Sequence, residues 1–303
     1  MIELIKNPNI NFLGKRYIAF IVSGIFSIIG IVAIVQIATG HANLGIDFAG
    51  GTAIQLKFEK PVVLHEVRVA LENSGLKDLD LQDLPSENKV LIRVKKSELE
   101  LSKVSDTITG ILTQRFPDKP YVVDSTTAIG PKVGGRLRAD AAKAVAVAII
   151  GILIYVAFRF QFKFGVAATI ATFHDVLAVL GLFFIMGREI NLILVTALLT
   201  IAGYSLTDTV VVFDRIRENL KARQRESVEG VMNISINEVL SRTIITSTTV
   251  LITSIALFFF GGEVLHDFSL AMIMGVVIGT YSSIFVASPV VLVWGGARPF
   301  AKK

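Results

Sequence analysis

Asp208 is the residue best placed to do chemistry in this chain. It stands inside Gly203-Tyr204-Ser205-Leu206-Thr207-Asp208-Thr209-Val210-Val211-Val212-Phe213, a stretch that is apolar on both sides of one carboxylate. A charge near the centre of a membrane helix costs about 2.5–3.5 kcal/mol on insertion scales, and side chains kept at that cost mark ion or proton pathways or pair with another helix. Both readings are open for Asp208: a group that takes up and releases a proton, or a carboxylate that bridges two helices. Tyr204, Ser205 and Thr207 place hydroxyls beside it, and Gly203 is expected to allow a close helix approach.

Two further sets of polar residues lie in apolar surroundings. Arg242 opens a run carrying Ser241, Thr243, Thr246, Ser247, Thr248, Thr249, Thr253 and Ser254. By position alone Arg242 is a basic residue snorkelling to a membrane edge. Its company suggests more, because hydroxyls hydrogen-bond across helices or hold water in a file. Burial disfavours an ionised carboxylate and a guanidinium favours it. Movement of Arg242 relative to Asp208 would therefore switch the carboxylate between holding and releasing a proton. His174-Asp175 is the other set. Neighbouring positions on a helix point about 100° apart, so the two cannot share one face fully. Asp175 is either a proton relay or one end of an interhelical hydrogen bond. No further ligand cluster accompanies the pair and the chain has no cysteine, so no metal site is expected. No cofactor and no enzymatic reaction are expected either.

The elements that must position these residues are membrane spans. Of 303 residues, 52% are hydrophobic, against about 45–50% in soluble domains. The excess falls in blocks of about 20 residues, the length that crosses a bilayer core. The spans are expected at 17–38, 139–158, 164–186, 191–213, 243–260 and 268–294. The first is too long for the apolar core of a signal peptide and reads as an uncleaved span. The last carries Ala271, Gly275, Gly279, Ser283 and Ala287 at four-residue intervals, a small-residue stripe for close packing.

The net charge of +5 is concentrated in short connectors: Lys6, Lys15 and Arg16; Arg159 and Lys163; Arg215, Arg217, Lys221, Arg223 and Arg225; Arg298, Lys302 and Lys303. This is positive-inside bias, and it places both termini in the cytoplasm. No basic patch is interleaved with aromatics, which argues against nucleic acid as a partner. The connector 214–241 begins as a charged continuation of the fourth span. Val228, Val231, Met232, Val239 and Leu240 then suggest an amphipathic helix at the membrane interface. Its arginines would rest on membrane lipid headgroups or offer a docking surface to a cytoplasmic partner.

Residues 41–138 have soluble-domain texture. Strands are expected at 52–58, 80–84, 89–94 and 121–128, and helices at 62–74 and from 97 to Pro117. Gly75 reads as the stop of the first helix, residues 85–88 as a turn, and Ser97-Glu98-Leu99-Glu100 as the capping box of the second helix. The order β-α-β-β-α-β is ferredoxin-like. The expected architecture is thus a polytopic α-helical membrane protein of six transmembrane helices, with one α+β ferredoxin-like extracytoplasmic domain between helices one and two. Its parts are 1–40, with the first span; 41–138, the outer domain; and 139–303, a five-helix bundle with the connector 214–241.

Four motifs carry a family resemblance: Gly45-Ile46-Asp47-Phe48-Ala49-Gly50-Gly51-Thr52; Phe173-His174-Asp175-Val176; the Asp208 stretch running into Asp214-Arg215-Ile216-Arg217-Glu218-Asn219; and Ser241-Arg242-Thr243. Over essentially its whole length the chain resembles the SecD/SecF protein-export family of the resistance–nodulation–division superfamily, on its SecF side. The resemblance implies a subunit that works with SecD in the bacterial cytoplasmic (inner) membrane and uses the proton motive force to promote preprotein translocation. The partners it implies are SecD, the SecYEG translocon, the SecA-driven preprotein, YidC and YajC. The family's functional aspartate and arginine match Asp208 and Arg242, and a further aspartate of the proton path belongs to SecD. Proton-coupled export of small molecules, known elsewhere in the superfamily, is the alternative activity, and a purely structural scaffold is a third. The glycines at 50 and 51 are explained by a buried turn without any binding role.

Overall fold

The computed structural model describes residues 8–74, 76, 79–84, 88–95, 101–159 and 162–295. Gly75, Pro85-Ser86-Glu87, the expected capping box at 97–100, Lys6, Arg298, Lys302 and Lys303 lie outside the described residues. The chain divides into two compact units: residues up to Asn43 together with those from Ala144 onward, and Leu44–Lys143.

In chain order, a 3-10 turn at Leu13–Lys15 leads into α1 (Arg16–Thr39), which stops at Gly40 in the left-handed conformation (φ 77°). That is the usual glycine device for ending a helix. The smaller unit follows with α2 (Ile46–Ala49), β1 (Gly51–Phe58), α3 (Leu64–Glu72), β2 (Leu79–Leu84), β3 (Lys89–Val94), α4 (Leu101–Arg115) and β4 (Tyr121–Ile129). Pro117 lies two residues past the end of α4, where a further helical turn would lack an N–H donor. The sheet order is β2-β3-β1-β4 and every pairing is antiparallel. This is the expected β-α-β-β-α-β arrangement. Alternation along β1 and β3 brings Ile54 opposite Ile92 and Leu56 opposite Val90. These residues are buried with Val67 and Leu71 of α3 and Val104, Ile108 and Leu112 of α4 in a single core. At the start of β1 the backbone runs through φ 79° at Gly50 and φ 145° at Gly51. A Cβ on Gly51 would lie 2.3 Å from the Val94 carbonyl oxygen, and one on Gly50 would lie 2.8 Å from Pro131 Cα. Backbone shape and close approach both demand glycine here.

The remaining helices are α5 (Pro131–Arg159), α6 (Phe162–Ile185), α7 (Leu192–Ala222), α8 (Val228–Phe260) and α9 (Gly262–Ser282). A π-helical turn at Ser283–Ala287 joins α9 to α10 (Ser288–Gly295). With α1, six helices among the described residues are long and apolar enough to cross a membrane, the last of them interrupted by the π turn. Asn191 opens α7 by accepting from Leu194 N–H (2.9 Å), and Ser227 opens α8 by accepting from Gly230 N–H (3.2 Å).

Within the larger unit α6 is packed against α1, α7 and α9, and 67% of its most apolar window is buried. The corresponding windows of α5 and α8 are 11% and 17% buried, so their apolar residues face outward, as in a bundle solvated by lipid. Glycine sets the closest crossings. A Cβ on Gly30 of α1 would lie 2.3 Å from the Leu177 carbonyl oxygen of α6, and one on Gly181 would lie 2.9 Å from Gly30 N. The expected stripe in the sixth span meets α7: a Cβ on Gly275 would strike Ile201 at 2.3 Å, and one on Gly279 would come within 3.2 Å of Ser205.

The first part of 214–241 continues the fourth span as expected, and the second part differs from its expected form. It is no separate helix lying on the membrane. Helix α7 runs on to Ala222 and α8 begins at Val228, so a charged helical hairpin fills it. Met232 and Leu240 are buried in the protein core with Phe213, Ile216, Phe12 and Leu13, and Val231 is buried as well, which makes the apolar face a protein contact. Several arginines are paired inside the chain: Arg215 with Glu238 (2.7 Å), Arg159 with Asp214 (2.9 Å) and Arg16 with Glu229 (3.0 Å). Residues 10–13 are strapped to α8. Asn237 accepts from Ile10 N–H (3.0 Å) and donates to Ile10 C=O (2.9 Å), while Asn233 accepts from the N–H groups of Phe12 and Leu13.

Candidate functional site

Asp208 is 8% exposed in the middle reach of α7. Its Oδ1 accepts from Thr243 Oγ1 of α8 at 2.8 Å, and its Oδ2 accepts from Ser283 Oγ, the first residue of the π turn, at 2.6 Å. The carboxylate therefore ties three spans together. Asp175 of α6 is fully buried. Its Oδ2 accepts from Ser205 Oγ of α7 (2.5 Å) and from Ser282 Oγ at the end of α9 (2.7 Å). His174 Nδ1 lies 2.9 Å from Asp175 Oδ1. Ser205 and Asp208 are three residues apart, hence on one face of α7, and Ser282 and Ser283 are consecutive. Both carboxylates thus meet where α7 faces the sixth span, Asp208 reaching on to α8 and Asp175 standing on α6.

The hydroxyls divide in a way that residue order could not show. Tyr204 donates to Ser247 Oγ (3.0 Å) and Ser247 meets Thr280 Oγ1 (2.6 Å), a second polar layer across α7, α8 and α9 one turn from Asp208. Thr207 donates back to the Gly203 carbonyl, and a Cβ on Gly203 would meet nothing within 4 Å. Hence Gly203 makes no close helix contact, and neither Tyr204 nor Thr207 is hydrogen-bonded to Asp208. In α8, Thr246, Thr249, Thr253 and Ser254 donate to carbonyls of their own helix. Thr243 and Ser247 of that run donate or accept across helices.

Arg242 is exposed and forms no ion pair with Asp208; its charge acts on the carboxylate through space, and Thr243 makes the direct contact. His174 and Asp175 are hydrogen-bonded to each other despite their divergent helical directions, because the imidazole reaches across to Oδ1. The His174 ring lies 6.5 Å from that of Tyr281, and its Nε2 has no hydrogen-bond partner among the described residues. Tyr281 in turn donates to the Ala19 carbonyl of α1 (3.0 Å). Among the described residues no three His, Cys, Asp or Glu side chains are grouped as a metal site would require.

Sequence reasoning missed Ser282 and treated Ser283 only as a spacer in the small-residue stripe. The available signal was the adjacent pair itself: two consecutive hydroxyls in an apolar span need partners. The π turn that follows leaves Ser288 Oγ donating to the Ser283 carbonyl (2.9 Å). Such turns occur mostly as single-turn insertions in α-helices, frequently at functional sites.

Comparison with known proteins identifies the family. A family model described as "Protein export membrane protein SecD/SecF, C-terminal" matches residues 111–297, and one described as "SecD/SecF GG Motif" matches residues 37–62. The protein translocase subunit SecF of Thermodesulfovibrio yellowstonii is 58% identical over 97% of this chain and 98% of its own length. That of Calditerrivibrio nitroreducens is 45% identical over 96% of each. Among solved structures, the crystal structure of SecDF, a translocon-associated membrane protein from Thermus thermophilus, superposes with a TM-score of 0.82 at 37% identity. It covers 95% of this chain, which spans 39% of that longer one. A full-length match to SecF subunits, carried through the spans that hold both carboxylates, places the chain in the SecF family of protein translocase subunits.

Proposed function

We propose that the chain is the SecF half of a SecD–SecF complex in the bacterial cytoplasmic membrane, with both termini in the cytoplasm and the sheet unit outside. The complex uses the proton motive force to promote preprotein translocation through SecYEG after SecA-driven insertion, with YidC and YajC as further partners. Asp208 holds the proton. Arg242 biases its charge through space, and Asp175 is a second proton-holding carboxylate beside it. The relative from Thermus thermophilus is a SecDF chain of which this chain spans 39%, so the rest of the proton path is assigned to SecD.

One observation carries this reading: among the described residues, Asp208 is bound by hydroxyls and by no cation. A hydroxyl donates to a carboxylate and accepts from a carboxylic acid, so Thr243 and Ser283 serve both protonation states. A contact ion pair with Arg242 would instead have locked the anion. A proton crossing 100 mV releases about 2.3 kcal/mol, which biases a two-state equilibrium roughly fiftyfold. That is enough to shift the packing of spans tied through one carboxylate.

The test is Asp208→Asn in the SecD–SecF complex, with preprotein translocation measured in membrane vesicles with and without an uncoupler. The complex is expected to accumulate normally and to lose the uncoupler-sensitive part of translocation. Uncoupler-sensitive translocation at the wild-type level in that variant overturns the proposal.

A further inference from the structure

We propose that Ser282 and Ser283 are positioning residues that couple the protonation of Asp175 to that of Asp208. The proposal rests on the reading of Asp208 as the proton-holding group and adds how a second carboxylate acts on it.

Each serine faces two acceptors. Ser282 Oγ lies 2.7 Å from Asp175 Oδ2 and 3.1 Å from the Gly279 carbonyl oxygen. Ser283 Oγ lies 2.6 Å from Asp208 Oδ2 and 3.1 Å from the Thr280 carbonyl oxygen. A hydroxyl carries one hydrogen, so only one of the two acceptors is fully served at a time. Against an anionic carboxylate the hydrogen points to the carboxylate, because hydrogen bonds to a charged group are about twice as strong as neutral ones. Against a protonated carboxyl the acid O–H donates to the serine oxygen, and the serine hydrogen turns to the carbonyl three residues back. The proton count is simple: one proton binds the carboxyl oxygen, and the serine O–H rotates without ionising. Both states leave the serine hydroxyl and the carboxyl oxygen it faces partnered, which avoids the cost of about 1–3 kcal/mol for an unpaired group.

The two seats share one backbone. The alternative carbonyls, Gly279 and Thr280, are consecutive, as are the serines, and hydroxyl bonding back to the preceding turn bends a helix. The π turn begins at Ser283, and its carbonyl already receives Ser288 Oγ. A change at one serine therefore alters the backbone that aims the other. The groups that face the pair of carboxylates are His174 on α6, Ser205 on α7, and Arg242 and Thr243 on α8. Among the described residues, only the serine pair touches both carboxylates from one turn of one span.

The experiment is infrared titration of the intact SecD–SecF complex in lipid bilayers. The carboxylic C=O bands are assigned by loss in Asp208→Asn and in Asp175→Asn. Ser282→Ala removes a hydrogen bond to Asp175 alone, yet it is expected to move the Asp208 midpoint by about half a pH unit, the shift that a hydrogen bond of ordinary net strength produces. Ser282→Thr, which keeps the hydroxyl, is expected to restore it. The reciprocal variant, Ser283→Ala read at the Asp175 band, carries the test if Ser282→Ala does not accumulate. An Asp208 midpoint unmoved in Ser282→Ala, with only the thermal midpoint lowered, would reduce the serines to packing residues and overturn the proposal. The titration needs no transport. Loss of coupling between the bands therefore refutes this inference alone, whereas Asp208→Asn with intact uncoupler-sensitive translocation refutes the functional reading and leaves the coupling standing.

Discussion

A carboxylate persists inside a membrane bundle only where its lone pairs are filled. Asp175 is filled three times, by Ser205, Ser282 and His174. Truncation and isosteric replacement should therefore part company. Asp175→Ala leaves these groups without their acceptor, at about 1–3 kcal/mol for each unsatisfied polar group, and is expected to lower the thermal midpoint of the detergent-solubilised complex. Asp175→Asn retains one oxygen for the serines and is expected to accumulate at the wild-type level while losing uncoupler-sensitive translocation. Equal stability of the Ala and Asn variants would show that the hydrogen bonds to Asp175 contribute little to the bundle.

Among the elements, the close crossings depend on single absent side chains. Gly30 and Gly24 lie on the same helix, but only Gly30 abuts another backbone; a Cβ on Gly24 would meet nothing within 4 Å. Gly30→Ala must move α1 away from α6 and is expected to destabilise by about 1–3 kcal/mol, the range for overpacking. Gly24→Ala gains helix propensity of up to about 1 kcal/mol and is expected to raise the thermal midpoint slightly. Differential scanning fluorimetry on both variants separates the two signs. The α7–α8 hairpin depends on polar ties instead. Asn237 fixes residue 10 by two hydrogen bonds. Asn237→Ala is expected to hasten proteolytic clipping within residues 8–13 without changing the rate of cleavage elsewhere.

For the molecule as a whole, two units with separate cores imply separate vulnerabilities. The sheet unit depends on the turn at Gly50-Gly51. Gly51→Ala combines φ 145° with a Cβ 2.3 Å from the Val94 carbonyl oxygen, and is expected to unfold that unit and abolish accumulation of the chain. Gly110→Ala, in α4 with no atom near the new Cβ, is expected to be neutral or stabilising. Immunoblotting of both variants decides between them. The outward apolar faces of α1, α5 and α8 need cover from lipid or from another subunit, and six helices of this kind make the chain a multi-pass membrane protein.

The sequence by itself determined the six spans and the order of strands and helices in the sheet unit. Blocks of about 20 apolar residues are legible because crossing a bilayer demands them. The β-α-β-β-α-β order is legible because alternation and helical spacing are local properties of the chain. Asp208, Asp175 and Arg242 stood out because charge is costly in an apolar run. Their geometry was another matter. The charged continuation of the fourth span is legible from residue 214 onward, but nothing local shows that its charges meet partners such as Glu238 on the next helix. Arg242 looked like the nearest partner of Asp208, yet the adjacent Thr243 faces it, since one residue turns a helical side chain by about 100°. Ser283 read as a small spacer and Ser282 as nothing at all. Which hydroxyl meets which carboxylate depends on the rotation of each helix about its axis and on the π turn that resets it. Those are set by packing between spans far apart in the chain, and the tertiary structure alone decided them.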